Sequence, residues 1–164
     1  MDRTSYFLCR FRIDDNEAYL IWYSNGSDGV FVDSDGSVPC FSTPDELIRF
    51  AETQEIPIEP EDPAIHNFDA VTDWLNGERN GEVDSNHLLR VWNLLTDFSA
   101  SVKGNFDEDQ ALTENMYEKL FQYASEAGNQ GEWSNEELDI MRQTLHTGMD
   151  LFRRHVRMQQ AMKA

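Results

Sequence analysis

Basic residues are scarce in this sequence: 13 lysines and arginines stand against 31 aspartates and glutamates, a formal net charge of -18. Such a chain repels nucleic-acid phosphate and anionic membranes, which argues against both as direct partners and makes a basic protein the electrostatic complement. Long apolar runs are also missing. None approaches the roughly 20 residues of a membrane-spanning helix, and the opening MDRTSYFLCRFRID is too short in apolar residues for a signal peptide. The expected location is therefore cytoplasmic. The two cysteines, Cys9 and Cys40, fall in expected strands and read as buried free thiols, as is usual in a reducing compartment.

Catalytic signatures are absent too. The four histidines, His66, His87, His146 and His155, fall at no spacing that pairs two of them on one helix, and no local signature joins Cys9 or Cys40 to any of them. The stretch NGERNG at 76 to 81 lacks the lysine and the strand-to-helix setting of a phosphate loop. Residues 76 to 87 place glycine sixth as a calcium loop would. The first and twelfth places, however, hold Asn76 and His87 instead of aspartate and glutamate. The expectation is a binding protein and not an enzyme, with no cofactor and no metal.

What is present is a change of period along the chain. In SYFLCRFRI, residues 5 to 13, Phe7, Cys9, Phe11 and Ile13 share one face opposite Arg10 and Arg12, the alternation of a half-buried strand. AYLIWYS at 18 to 24 is apolar on both faces, as a central strand requires, and VFV at 30 to 32 completes an antiparallel meander. DSDG at 33 to 36 is a hairpin turn, and SVPCF a short edge strand because Pro39 cannot donate to a ladder.

Thr43, Pro44 and Glu46 then start a helix over about 44 to 54, with Leu47, Ile48, Phe50 and Ala51 on its buried face. Three of the five prolines lie in the extended connector at 56 to 66. Beyond it four helices are expected: one around Phe68, Val71, Trp74 and Leu75, one capped by Ser85 and ended at Gly104, one over about 108 to 127, and one from the capping box Ser134/Glu137 to Val156. The third is expected to bury Leu112, Met116, Leu120, Phe121 and Ala124. The fold class is α+β in a single domain: sheet plus helix in residues 1–55, the connector, and a helical part in 67–164, all sharing one core.

Charge is uneven along the chain. Residues 142 to 164 hold Arg142, Arg153, Arg154, Arg157 and Lys163 against Asp150 alone, a tail of +4 on a body of -22. Cations at the end of a final helix complement its dipole. Three acidic clusters fall in expected turns: Asp14, Asp15 and Glu17; Glu59, Glu61 and Asp62; Asp107, Glu108 and Asp109. They are the candidate partner-binding residues, with Trp22, Tyr23, Trp74 and Trp133 of the types that anchor interfaces.

YFLCRFRI, AYLIWYS, DGVFVDSDG and FSTPDELIRFAE within residues 6 to 52, followed by acidic helices, resemble a bacterial immunity protein of contact-dependent growth inhibition systems. That resemblance implies a toxin's C-terminal domain as the partner, a nuclease and by preference an RNase, neutralised by blocking its active site or substrate groove. It carries over no residue roles. The alternative is an acidic secretion chaperone or adaptor holding a client segment.

Overall fold

The computed structural model describes residues 4–77, 84–104, 110–125 and 132–159. Strand β1 (Ser5–Ile13) pairs antiparallel with β2 (Asn16–Ser24), which pairs antiparallel with β3 (Asp28–Val30). The meander is thus as expected, although its third strand begins two residues early. After the turn at 33 to 36, closed by Asp33 N–H to Ser37 C=O at 2.7 Å with Gly36 at φ +85°, comes β4 (Val38–Cys40). Helix α1 (Pro44–Thr53) begins where Thr43 accepts from the Glu46 N–H. Of its expected buried face, Leu47 and Ala51 are buried, Phe50 is half-buried and Ile48 is exposed.

The connector does more than span two regions. Its last residues and Asn67 form β5 (Ile65–Asn67), which adds to β1 in parallel, so the sheet order is β3-β2-β1-β5. Parallel addition needs a crossover, and α1 with the connector supplies it. Helices α2 (Phe68–Leu75), α3 (Ser85–Val102), α4 (Gln110–Ala124) and α5 (Asn135–His155) follow.

A single shared core is not what the structure shows. Cys9, Phe11, Ile13, Ala18 and Leu20 face α2, α3 and α5, while Ile21, with Leu8 and Tyr19, packs on α1 through Phe41, Leu47 and Ala51. The sheet is buried on both sides, and the doubly apolar β2 runs through its middle for that reason. At the centre of the larger cluster Phe152 lies 4.9 Å from Phe11, 4.9 Å from Phe68 and 4.6 Å from Phe98 between ring centroids.

Helix α3 crosses the sheet and covers both of its edges. Near its start His87 Nε2 accepts from the Asn67 N–H and Arg90 donates to the Ile65 carbonyl; near its end Ser101 Oγ accepts from the Val30 N–H of β3. Gly29 allows that approach, since a Cβ there would fall 2.8 Å from Ser101 Oγ. The N-cap is Asp84, whose carboxylate takes the His87 N–H; Ser85, expected as the cap, is the buried first helical residue. The left-handed residue at the other end is Lys103 (φ 57°), not Gly104, which is glycine because a Cβ would strike Leu151.

In α4 Met116 and Leu120 are buried as expected, but Phe121 is 60% exposed and Ala124 only half-buried. The capping box of α5 is present, yet the helix ends at His155. Val156, expected to extend its apolar stripe, is extended (φ -74°, ψ 140°) and opens β6 (Val156–Met158), paired parallel with β4. That pairing is contributed by residues over 100 positions away, which a local period cannot register.

Candidate functional site

The three acidic clusters meet different fates. In the first, Asp14 and Asp15 turn the β1–β2 hairpin with φ of 53° and 63°, a left-handed pair that aspartate tolerates better than most residues. The carboxylate of Asp69, in the first turn of α2, accepts their two backbone N–H groups at 2.7 and 2.8 Å. Arg153 of α5 then binds both oxygens of Asp14 at 2.8 and 3.0 Å, Arg12 lies 3.4 Å from Asp15, and Arg10 is 2.9 Å from Glu17. Asp14 and Asp69 thus hold the hairpin against two helices, Asp15 and Glu17 pair within it, and one arginine of the basic tail is taken up by Asp14.

In the second cluster Glu59 is half-buried, while Glu61 and Asp62 are exposed. None of the three is in an ion pair among the described residues. The third cluster, Asp107, Glu108 and Asp109, lies outside the described residues.

Of the connector acids, Glu61 and Asp62 border a cleft of about 500 Å³, within the range of ligand sites. Phe7 and Trp22 form its floor with ring centroids 6.0 Å apart, Asp28 of β3 stands on one side, the 61 to 64 stretch on another, and Arg90 of α3 closes it. Sheet pairing explains why it exists. Ile58 bridges Tyr6 and Ile65 pairs with Arg10, so the connector uses seven steps to cover four along β1 and bows outward.

Two groups here have shifted ionisation: His66 in the cleft lining, and Asp97, which is hydrogen-bonded to the lining residue Trp22. Trp22 Nε1–H donates to Asp97 Oδ2 at 3.1 Å. Burial raises the Asp97 carboxyl to about 6, against the lowering effect of the indole bond and with a further push from Asp28. His66 is lowered to about 4 chiefly by burial, with Arg90 and His87 contributing in the same direction and the Arg10 carbonyl opposing.

The structure also brings together a cysteine and a histidine that no sequence spacing linked: Cys9 Sγ is 3.8 Å from His66 Nδ1. The same nitrogen is 3.1 Å from the Arg10 carbonyl, which only accepts, so Nδ1 carries the hydrogen and is no base for the thiol. Burial, then Cys40 and Asp97, push the Cys9 thiol up, and burial pushes Cys40 up as well. As placed, both members of the pair are neutral and neither activates the other.

Of the aromatic candidates, Trp74 is buried and Trp22, Tyr23 and Trp133 are half-buried; Lys119 sits 4.8 Å above the Trp133 ring and bonds Glu137 at 2.8 Å, joining α4 to α5. Asp28, Arg90 and Asp97 were not singled out by sequence reading. Nothing in their local pattern sets them apart, because the cleft is made by elements far apart in the chain.

No family model matches this chain, and no curated protein does. A solved structure does: the C-terminal domain of SatS, in complex with bromine, superposes with a TM-score of 0.61 over 94% of this chain and 94% of that one, at 13% identity. The two share a fold. Among the described residues no helix is long and apolar enough to cross a membrane.

Proposed function

We propose that the chain is a protein-binding chaperone or adaptor that holds an extended, basic segment of a client at the connector cleft. The observation that carries this is the contrast between a cleft with an aromatic floor, whose rim acids form no ion pair among the described residues, and a hairpin whose acids are paired with arginines. The α+β architecture shared with the SatS domain over nearly the whole of both chains supports the frame on which the cleft is built. A client segment would gain on-rate from the -18 net charge and affinity from desolvating Phe7 and Trp22.

A second reading keeps the immunity role, in which the acidic surface docks on a folded basic nuclease domain; the net charge favours it equally. Photo-crosslinking residues placed at 61 and at 15 distinguish the two. The chaperone reading expects adducts from 61, mapping to a segment that binds as an isolated peptide and more tightly at low salt. Adducts to a folded domain, with growth rescue when that domain is expressed, would replace it by the immunity reading. Adducts from 15 alone would remove the cleft from either.

A further inference from the structure

Strand alternation determines what β1 offers to the cleft. Tyr6 C=O accepts the Glu59 N–H at 2.8 Å, so Tyr6 presents its backbone groups to the connector, and Arg10, whose carbonyl meets His66, does the same. Leu8 lies midway and must face that side too. Its N–H and C=O have no backbone partner on the connector side among the described residues, because the connector has bowed away there. The Leu8 side chain packs on the opposite sheet face with Ile21 and Phe41. What Leu8 lends to the cleft wall is therefore its backbone.

We propose that this gap is a strand-addition site: an extended segment of a partner pairs with Leu8, sets an apolar side chain on the Phe7–Trp22 floor, and carries a lysine or arginine to Asp28, Glu61 or Asp62. The proposal rests on the chaperone reading and specifies its client. The gap spans Phe7 to Cys9, about 10 Å at roughly 3.3 Å per residue, so it takes about three residues of added strand. The charge of the rim selects the occupant. Asp28, Glu61 and Asp62 are exposed and form no ion pair among the described residues, and Asp97 lies behind Trp22, whereas Arg90 is turned to the Ile65 carbonyl. An anionic segment would meet like charge on most of the rim.

The probe is a capped heptapeptide of alternating valine and lysine, titrated into the full chain with amide hydrogen exchange at Leu8 followed by NMR. Saturation is expected to slow Leu8 exchange by about tenfold or more. N-methylation of the peptide's central residues, or the triple variant Asp28→Asn/Glu61→Gln/Asp62→Asn, should each weaken binding by about tenfold. The three substituted residues are exposed, so the variant keeps the fold, which its amide spectrum would verify. Binding that leaves Leu8 exchange unchanged, or that tolerates N-methylation, overturns strand addition. If crosslinks from position 61 to an extended client segment persist in that case, the chaperone reading survives; if neither probe nor client engages the cleft, both fall.

Discussion

At the Ile13 end of β1 three acids meet three arginines, whereas at the Tyr6 end Glu59, Glu61 and Asp62 meet none among the described residues. Both stretches are acidic turns in the sequence, and reading along the chain gives no way to rank them. The difference is one of reach. The hairpin tip is approached by the first turn of α2 and the last turn of α5, so Asp69 and Arg153 are delivered to it. The connector bows away from the sheet, and the cation nearest its cleft, Arg90, is occupied with backbone. An acidic cluster is a binding candidate only once the fold has finished with it.

The largest expected effect tests whether the cleft end is held together by neutral groups. His66 is half-buried with its ionisation lowered from 6.5 to about 4, so its contribution to stability is fully present above pH 6.5 and is lost as pH falls toward 4. The loss should be on the order of 3 kcal/mol. Urea midpoints of wild type and His66→Gln at pH 7 and pH 4.5 measure it, and the variant should show less acid destabilisation. Equal acid loss in both would mean that His66 is solvated.

Next comes the hairpin end. Asp69→Ala removes the acceptor of two backbone N–H groups and should cost about 2 kcal/mol in denaturant unfolding, since hydrogen bonds to a charged group are among the stronger ones. The double variant Glu61→Gln/Asp62→Asn should change stability by no more than about 0.5 kcal/mol. Comparable costs at the two ends would erase the contrast.

Asp97 sharpens it from the other side. Its carboxyl ionises near 6 in the folded chain against 3.8 in the open one, so stability falls as pH rises between those values, and above about 6 the full penalty applies. Asp97→Asn keeps an acceptor for Trp22 and should therefore stabilise the protein at pH 7.5, by on the order of 1 kcal/mol once screening by solvent at this half-exposed site is allowed for. The gain should vanish near pH 4. A thermal melt series reads both. Among the paired groups the smallest effect is expected for Arg153→Gln: its pairs are largely exposed, so about 0.5–1 kcal/mol is anticipated from urea unfolding, and less in high salt.

The strands and helices were legible where a local cause sufficed. Alternation located β1, apolarity on both faces made β2 central, and Thr43/Pro44 and Ser134/Glu137 started α1 and α5 at their observed positions. The site was not. Glu61, Asp62 and Trp22 were among the sequence candidates, but so were Asp14, Asp15 and Trp74, and the residues that complete the cleft, Asp28, His66 and Arg90, with Asp97 bonded to Trp22, come from β3, β5 and α3. Phe121 and Ile48 fit helical stripes and are exposed all the same, because what covers a stripe depends on the neighbouring element.

The sequence by itself determined element type, helix caps, turn chemistry and the surplus of negative charge, since these follow from side chains within four residues of one another or from composition. Tertiary structure alone decided the parallel additions of β5 to β1 and β6 to β4, the division of the interior into two clusters, and which acids are neutralised. Each of these requires groups tens of residues apart to arrive at one place. Whether they arrive is decided by the burial of both sheet faces, a property of the whole chain.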